Sequence, residues 1–160
     1  MKKIFSLLLI VVLAAGCGKE KCEYNDCAVT APAAEIQWLQ NYLQTNNINA
    51  TQHCSGIFYT VDQQGTGKWP KGCDYVSVRY QGKFTNGTFF DPQGGGFSQT
   101  GFSLGGVIRG FANGILQIKE GGKVTIYVPP SLGYGSQGAG NGAIPPNSYL
   151  IFTVELLGIQ

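Results

Sequence analysis

The sequence predicts an α+β domain in which several antiparallel strands accompany one internal helix. The 160 residues include 24 Gly and 7 Pro, which favours strands and tight turns over a helical bundle. After Cys54, apolar side chains alternate with polar ones, as they do in strands that bury one face. Only residues 107–122 interrupt that alternation with apolar side chains at helical spacing.

Five segments are predicted strands because they alternate or are rich in β-branched and aromatic residues. They are residues 57–61, 74–80, 102–104, 123–128 and 148–158. Asn86-Gly87 lies between apolar ends, a strong signal for a tight hairpin turn. Residues 148–158 form the longest β-branched and aromatic run, so we expect them to be a central strand.

A first helix is predicted within residues 30–46. Pro32 fits the first turn of a helix, and Glu35 suits its positive N-terminal end. Three apolar residues fall on one face at helical spacing, namely Ile36, Leu39 and Leu43. We expect this stripe to dock on the main domain, although it could also serve a partner.

A second helix is predicted within residues 107–122. Ile108, Phe111 and Ile115 lie on one face, and Gly121-Gly122 supplies the C-terminal stop. The internal glycines at 110 and 114 weaken helix formation. The helix should therefore be short.

The N-terminus is typical of an export signal. Two lysines precede an apolar run, residues 4–15, which is too short to span a membrane. Small residues directly before Cys17 resemble a bacterial lipobox, which implies cleavage before Cys17 and acylation of its thiol. An ordinary signal peptide followed by a chance cysteine is the alternative.

This interpretation divides the chain into three parts. Residues 1–16 would be a lipoprotein signal peptide, residues 17–50 a lipid-anchored tether with a short helix, and residues 51–160 the folded domain. The two signal lysines account for the excess of 11 basic over 9 acidic residues, so the mature chain would be neutral. No basic footprint for nucleic acid remains. We expect a place in the bacterial cell envelope, in the outer membrane facing the periplasm, because Gly18 supplies no acidic retention signal.

Four further cysteines follow the lipobox. An even number in an exported protein suggests disulfides, and four cysteines allow three connectivities. We expect Cys22 to pair with Cys27 and Cys54 with Cys73, because both pairs need only local closure. A Cys₄ zinc site is the alternative, but neither pair has the C-x₂-C spacing of structural zinc sites. His53, the only histidine, is predicted to be a surface or capping residue, so no metal is expected.

A glycine-rich loop, residues 134–146, opens on a tyrosine and closes on Ile-Pro-Pro. Aromatic and aliphatic residues at the edges of the predicted elements could together line an apolar pocket. The polar groups of that pocket would be Asp91 and the hydroxyls of Tyr80 and Tyr134. Such a cleft fits a small apolar ligand or an Xaa-Pro segment. A phosphate-binding loop is excluded, because Gly121-Gly122-Lys123 is followed by valine and lacks the upstream glycine.

Five ordered blocks resemble the signature of FKBP-type peptidyl-prolyl cis-trans isomerases. They are V-R-Y-Q-G at 78–82, N-G-T-F-F-D at 86–91, V-I-R-G-F at 107–111, Y-G-S-Q-G with I-P-P within 134–146, and L-I-F-T-V-E-L-L at 150–157. The match covers about residues 56–160. It implies a twisted antiparallel sheet of five or six strands wrapped around one short helix, with an N-terminal helical extension.

The resemblance also implies a function and partners. The activity would be non-covalent acceleration of Xaa-Pro isomerisation during the folding of exported polypeptides, with no cofactor. Macrolide inhibitors would be further ligands. The lipoprotein signal and cysteine-bearing extension are similar to membrane-anchored members from Bacteroidetes, including gliding-motility-associated ones. An FKBP-like binding or chaperone module with little isomerase activity and a purely structural envelope lipoprotein are the alternatives.

Site residues follow from the matching blocks. The resemblance implies catalytic roles for Tyr80, Phe90, Asp91, Phe111, Tyr134 and Phe152. It implies substrate-binding roles for Phe102, Val107, Ile108 and Ile144. The family often has tryptophan at the position of Phe111. Thr100 stands where the family has an aromatic residue, and Phe97 is the neighbour that could replace it.

Overall fold

The computed structural model describes residues 23–160, so the signal, Cys17 and Cys22 lie outside the described residues. In these residues, a seven-stranded antiparallel sheet is accompanied by two α-helices. The elements are α1 Ala33–Thr45, β1 Thr51–Gln52, β2 Phe58–Gln63, β3 Tyr75–Phe84, β4 Phe89–Asp91, β5 Ser98–Ser103, α2 Arg109–Ile115, β6 Lys123–Val128 and β7 Leu150–Ile159. Within this part of the chain, no helix is both long and apolar enough to cross a membrane.

The sheet has the order β1-β2-β6-β7-β3-β4, and β5 pairs with β3. The predicted α+β class and the N-terminal helix are confirmed. The strand count of five or six was too low, because β1 adds two residues at the edge next to β2. Two residues are too few to show an alternating pattern.

The central position predicted for the last strand is confirmed. β7 lies between β6 and β3 and pairs with both over most of its ten residues. Its alternate residues are buried on the face that carries α2: Leu150, Phe152, Val154 and Leu156. Because side chains in a strand alternate between faces, the residues between them point the other way.

The predicted hairpin joins β3 to β4. The Phe84 amide donates to the Thr88 carbonyl at 2.9 Å, and the Gly87 amide donates to the Phe84 carbonyl at 3.0 Å. Gly87 has a φ of 89°, a left-handed conformation that glycine adopts without a steric cost. The strand predicted at 102–104 is longer and begins at Ser98. Its first residues are polar and show no apolar alternation, so the sequence pattern does not mark them as a strand.

α2 has seven residues and packs closely on the sheet. A Cβ atom at Gly110 would meet Cγ1 of Val128 at 2.3 Å, and one at Gly114 would meet Cδ1 of Ile126 at 2.3 Å. Both distances are far below a van der Waals contact, so the two glycines let the helix approach β6. The glycines that make the helix short therefore also set its distance from the sheet.

α1 covers the opposite face of the sheet. Leu39 and Leu43 are buried against one residue from each of three neighbouring strands, namely Phe58, Tyr127 and Ile151. Those three residues are register partners across the sheet. The Glu35 carboxylate also accepts hydrogen bonds from the amide and hydroxyl of Ser131 at 3.0 and 2.8 Å. The predicted docking of this helix on the domain is confirmed.

The predicted disulfide pairs are wrong. Cys27 is bonded to Cys54, 27 residues away in sequence, so neither can pair with Cys22 or Cys73. Residues 24–31 cross the domain and bring Cys27 to the turn between β1 and β2. There the Ala31 amide donates to the Ser55 carbonyl at 2.8 Å. The prediction assumed that cysteines close in sequence would pair, but the Cys27–Cys54 bond depends on the backbone contact between Ala31 and Ser55. Cys73 is also disulfide-bonded.

Candidate active site

A cavity of about 580 Å³ opens between α2, the sheet and the glycine-rich loop. We call it the active-site cavity. All ten predicted site residues line it: Tyr80, Phe90, Asp91, Phe102, Val107, Ile108, Phe111, Tyr134, Ile144 and Phe152. Site residues as far apart in sequence as Tyr80 and Phe152 thus meet around one space.

The floor of the active-site cavity is a cluster of aromatic rings centred on Phe111. The Phe111 ring centroid lies 4.9 Å from that of Phe152 and 5.7 Å from those of Tyr80 and Phe102. The contacts with Phe152 and Tyr80 are edge-to-face, an arrangement that the ring quadrupoles favour. Phe90 extends the cluster by an edge-to-face contact with Phe152 at 5.6 Å. Phe111 and Phe152 are 5% and 4% exposed, so they form the buried part of the floor.

Gly82 makes room for these rings, a role that the sequence reasoning missed. A Cβ atom there would lie 2.6 Å from Cζ of Phe90 and 3.1 Å from Cε1 of Phe152. Gly82 is the final residue of the V-R-Y-Q-G block. A glycine inside a predicted strand is a signal for close approach and could have identified it.

The polar groups of the active-site cavity are grouped at one end. The Tyr80 hydroxyl donates a hydrogen bond to Oδ2 of Asp91. Burial, followed by this hydrogen bond, raises the pKa of Tyr80 above its ordinary value. Burial and the charge of Asp91 also raise the pKa of Tyr134. Both hydroxyls are therefore protonated at neutral pH and can donate hydrogen bonds.

Tyr134 stands at the mouth of the cavity with 36% of its surface exposed. It begins the glycine-rich loop, which is held as a closed structure. Ala139 and Ile144 exchange backbone hydrogen bonds of 2.9 and 3.0 Å, and the Asn147 amide donates to the Gly135 carbonyl at 2.8 Å. These bonds make the loop a defined flap over the cavity instead of an unstructured connector.

One glycine of the flap is sterically required. Gly138 has a φ of 65°, and a Cβ atom on it would lie 2.2 Å from the Ile144 carbonyl oxygen. Any side chain would therefore push Ile144 away from the position where it lines the cavity. The glycine content of the flap thus serves close packing as well as turning.

One wall differs from the expectation. Thr100 lines the active-site cavity, but Phe97 does not. The Phe97 ring is 38% exposed and lies under two cations, 4.9 Å from Cζ of Arg79 and 5.6 Å from Nζ of Lys123. Phe97 therefore does not replace the missing aromatic, and a small threonine leaves that wall more open.

A cluster of metal-ligand types lies away from the cavity. Donor atoms of Asp26, Cys27, His53 and Cys54 lie within 4.8 Å of one another. Zinc binds cysteine as a thiolate, and the two sulfurs are joined in a disulfide, so this set does not offer thiolate ligands. His53 is not a surface residue, since its side chain is 10% exposed. Its Nδ1 accepts the Ser55 amide at 3.2 Å, a hydrogen bond within the turn between β1 and β2.

Comparison with known proteins identifies the family. The family described as FKBP-type peptidyl-prolyl cis-trans isomerase matches residues 67–157. A probable FKBP-type peptidyl-prolyl cis-trans isomerase from Haemophilus influenzae is 41% identical over 140 residues, which cover 88% of this chain and 57% of that protein. The FKBP-type peptidyl-prolyl cis-trans isomerase FkpA from Escherichia coli K12 is 42% identical over 106 residues, or 66% of this chain and 38% of that one.

Solved structures agree with these relatives. The crystal structure of FkpA from Escherichia coli has a TM-score of 0.67 and 34% identity, and the match covers 80% of this chain and 61% of that one. A peptidyl-prolyl cis-trans isomerase from Pseudomonas syringae pv. tomato has a TM-score of 0.66 and 27% identity, with 82% and 98% covered. The chain spans 57% and 38% of the length of the two curated relatives described above. Since the family match spans more than half of its residues, this chain belongs to the FKBP-type peptidyl-prolyl cis-trans isomerases.

Proposed function

We propose that this chain accelerates cis-trans isomerisation of Xaa-Pro bonds in exported polypeptides. The observation that carries the proposal is the active-site cavity, which has an aromatic floor around Phe111 and few polar side chains, chiefly Tyr80, Asp91 and Tyr134. Its volume of about 580 Å³ lies within the usual range for small-ligand sites. A proline ring with its flanking peptide groups matches this division between apolar and polar surfaces.

The proposed mechanism is non-covalent. Rotation about an Xaa-Pro bond is slow because the planar amide is stabilised by resonance, and the barrier is roughly 18–20 kcal/mol. The twisted amide has lost that resonance and its charge separation. A dry aromatic pocket disfavours the planar, more polar amide relative to the twisted one. Binding the twisted form better than either planar isomer is sufficient for catalysis.

Individual side chains have distinct roles in this proposal. Phe111 and Phe152 hold the proline ring, because they form the buried part of the floor. The Tyr134 hydroxyl donates to a substrate carbonyl at the mouth. The hydrogen bond from Tyr80 to Asp91 favours a positioning role for Asp91, whose carboxylate orients the tyrosine beside the twisting bond.

Exchange NMR on Xaa-Pro peptides tests the activity and the site. The wild-type chain should accelerate cis-to-trans conversion, and Tyr134→Phe, Asp91→Ala and Phe111→Ala should each reduce the acceleration. Tyr75→Phe is the matched control, since it removes a tyrosine hydroxyl from an exposed position outside the cavity. Absence of acceleration by the wild type would exclude the enzyme and favour an FKBP-like binding module. Equal acceleration by all variants would exclude the site assignment.

We propose further that the chain is lipid-anchored through Cys17 in the outer membrane, facing the periplasm. The small residues before Cys17 and the short apolar run that precedes them support acylation. The likeness of the signal and the cysteine-bearing extension to membrane-anchored Bacteroidetes lipoproteins, including gliding-motility-associated ones, supports an origin among them. Radiolabelled palmitate should enter the wild-type chain but not Cys17→Ser, and labelling of both would exclude this anchor.

Macrolides are proposed as competing ligands of the same cavity. A macrolide would place an apolar ring over Phe111 and a carbonyl near the Tyr134 hydroxyl. The open wall at Thr100 removes one aromatic contact, so affinity should be lower than in members with an aromatic residue there. Calorimetric titration of the wild type and Thr100→Phe measures this difference, and tighter binding by the wild type would contradict it.

A further inference from the structure

A second cavity of about 430 Å³ adjoins the active-site cavity. Its lining consists of Phe84, Thr85, Asn86, Thr88, Pro145, Asn147, Ser148 and Tyr149. The two cavities meet along the flap, since Ile144 lines the first and the next residue, Pro145, lines the second. The rings of Phe84 and Phe90, one from each cavity, also have centroids 4.9 Å apart.

Three stacked aromatic residues border the second cavity, and we call them the aromatic platform: Trp38, Tyr42 and Tyr149. The Trp38 ring lies 3.9 Å from that of Tyr149 and 5.7 Å from that of Tyr42, with interplanar angles of 19° and 6°. Despite this stacking, 41% of the Trp38 surface is exposed. Trp38 and Tyr42 belong to α1, outside the residues that match the family.

The exposure of Trp38 does not come from a loosely attached helix. Leu39 and Leu43, on the same helix, are 0% and 4% exposed. The Tyr42 hydroxyl donates to the Thr85 carbonyl in the wall of the second cavity at 3.4 Å. The aromatic platform is therefore held in a fixed position beside the cavity, and its exposed indole surface is available for binding without reorganisation of the fold.

The chemistry of this region fits an extended polypeptide. None of the residues that line the second cavity is charged. The Asn147 side-chain amide and the Asn86 side-chain NH₂ can pair with a backbone, whereas the Asn86 oxygen already accepts from the Thr88 amide and the Ser148 hydroxyl already donates to the Pro145 carbonyl. Tyr149 stacks on the Trp38 ring at 3.9 Å, and the part of the indole that stays exposed suits proline and other apolar side chains of an extended segment. The uncharged lining disfavours phosphorylated or strongly acidic ligands, which proteins bind through clustered arginines.

We propose that the second cavity and the aromatic platform bind the same client chain whose proline occupies the active-site cavity. Residues that flank this proline continue past Pro145 in extended form, and an apolar or proline side chain contacts the exposed part of the Trp38 indole. This inference rests on the proposed isomerase function and defines its substrate as a polypeptide longer than the Xaa-Pro unit. Catalysis stays at the first cavity, while the platform contributes affinity.

Substrate length separates the two cavities experimentally. The full chain is assayed with an Xaa-Pro tetrapeptide, which the active-site cavity accommodates, and with an unfolded protein whose refolding is limited by prolyl isomerisation. In Trp38→Ala, tetrapeptide kcat/KM should stay within twofold of the wild type, whereas KM for the protein substrate rises about 2- to 10-fold with kcat unchanged. Trp38→Phe should restore most of the lost affinity. Trp69→Ala is the matched control, because Trp69 is the more exposed tryptophan at 53% and lines neither cavity.

Fluorescence provides a readout independent of turnover. The chain has two tryptophans, so Trp69→Phe leaves Trp38 as the only indole. Proline-containing peptides of increasing length should leave its emission unchanged until they reach the platform, and then shift it to shorter wavelength. No shift with any peptide at saturation would overturn the inference.

The kinetic outcomes are distinguishable. If Trp38→Ala reduces tetrapeptide and protein turnover equally, the helix merely supports the fold and the subsite is excluded. If the wild type accelerates both substrates and Trp38→Ala does not raise the KM for the protein substrate, the subsite alone is excluded. If the wild type accelerates neither substrate, the proposed isomerase function fails together with this inference.

Discussion

The two faces of the central sheet carry similar apolar side chains, but one face borders a cavity and the other is closely packed. On the inner face, alternate residues of β6 and β7 such as Ile126 and Phe152 pack under α2 and leave the active-site cavity beside it. On the outer face, their direct neighbours Tyr127 and Ile151 are covered by α1. One period-two pattern thus produces a ligand-sized gap on one side and closed packing on the other.

The two faces differ because the helices that cover them differ in length and in distance from the sheet. α1 has 13 residues and buries two of the three residues of its apolar stripe, with Leu39 at 0% and Leu43 at 4% exposure. α2 has seven residues, and its glycines bring it so close to β6 that it covers only part of the inner face. The uncovered part becomes the cavity under the flap. Because α2 is short and lies close to the sheet, core residues such as Phe111 and Phe152 can also form the floor of the active-site cavity.

Phe111→Ala should have the largest effect of the changes considered, because this residue belongs to both core and site. Phe→Ala in a packed core costs about 3–5 kcal/mol of unfolding free energy. Isomerase activity should fall with it, since the floor of the active-site cavity is lost. Urea unfolding and exchange NMR measure the two effects. Full activity in a folded variant would show that the floor plays no part in catalysis.

Leu39→Ala should cost slightly less, about 2–5 kcal/mol, through a cavity on the outer face. Tetrapeptide isomerisation by the folded fraction should stay within twofold of the wild type, because α1 does not line the active-site cavity. Urea unfolding gives the stability and peptide assays below the unfolding midpoint give the activity. A tenfold loss in tetrapeptide turnover would show that the two faces are coupled, which would contradict their separate roles.

Tyr134→Phe should reverse this pattern, with little change in stability and a clear change in rate. The hydroxyl lies at an exposed mouth, so the unfolding free energy should change by less than about 0.5 kcal/mol. Loss of one hydrogen bond to the reacting chain lowers kcat/KM about 2- to 10-fold. Tyr75→Phe controls for hydroxyl removal, and an equal rate for both variants would exclude Tyr134 from the site.

Alternation and ordered blocks made much of this molecule predictable. β6 has the predicted bounds, β7 is central, and the hairpin lies at Asn86-Gly87. All of these depend on local pattern or turn chemistry, which a single sequence records directly. The ten residues around the active-site cavity were predicted from the resemblance of the five ordered blocks to the FKBP-type family, and all ten line the cavity.

Contacts that depend on the path of irregular segments were not predictable. The Cys27–Cys54 bond requires residues 24–31 to cross toward the β1–β2 turn, and no periodicity marks that crossing. The orientation of Phe97 was also not predictable from the sequence, because the cations that it contacts, Arg79 and Lys123, lie on two other strands, β3 and β6. Trp38 was assigned no function because its exposure depends on which face of α1 meets the sheet.

Alkaline pH provides the smallest and most specific test of the two faces, since each carries a tyrosine whose pKa is raised by burial. Burial, followed by the hydrogen bond to Asp91, raises the pKa of Tyr80 on the inner face, and burial likewise raises the pKa of Tyr127 on the outer face. An unfolded tyrosine ionises near its ordinary pKa of about 10. Above that pH the unfolded chain releases protons that the folded chain retains, so linkage makes stability fall as pH rises.

The stability contribution of these tyrosines is therefore complete below about pH 10 and is lost as pH rises toward their folded-state pKa values. Urea unfolding between pH 9 and 11 should show a decline that is shallower in Tyr80→Phe and Tyr127→Phe than in the wild type. The change at Tyr80 should amount to only a fraction of the roughly 1.4 kcal/mol per pH unit of full linkage, because this residue is only partly buried, whereas Tyr127 is 6% exposed and is screened less. A flattened decline in Tyr127→Phe alone would show that solvent in the active-site cavity screens Tyr80. It would also show that the inner face is wetter than its aromatic lining implies, which would weaken the case for catalysis in a dry pocket.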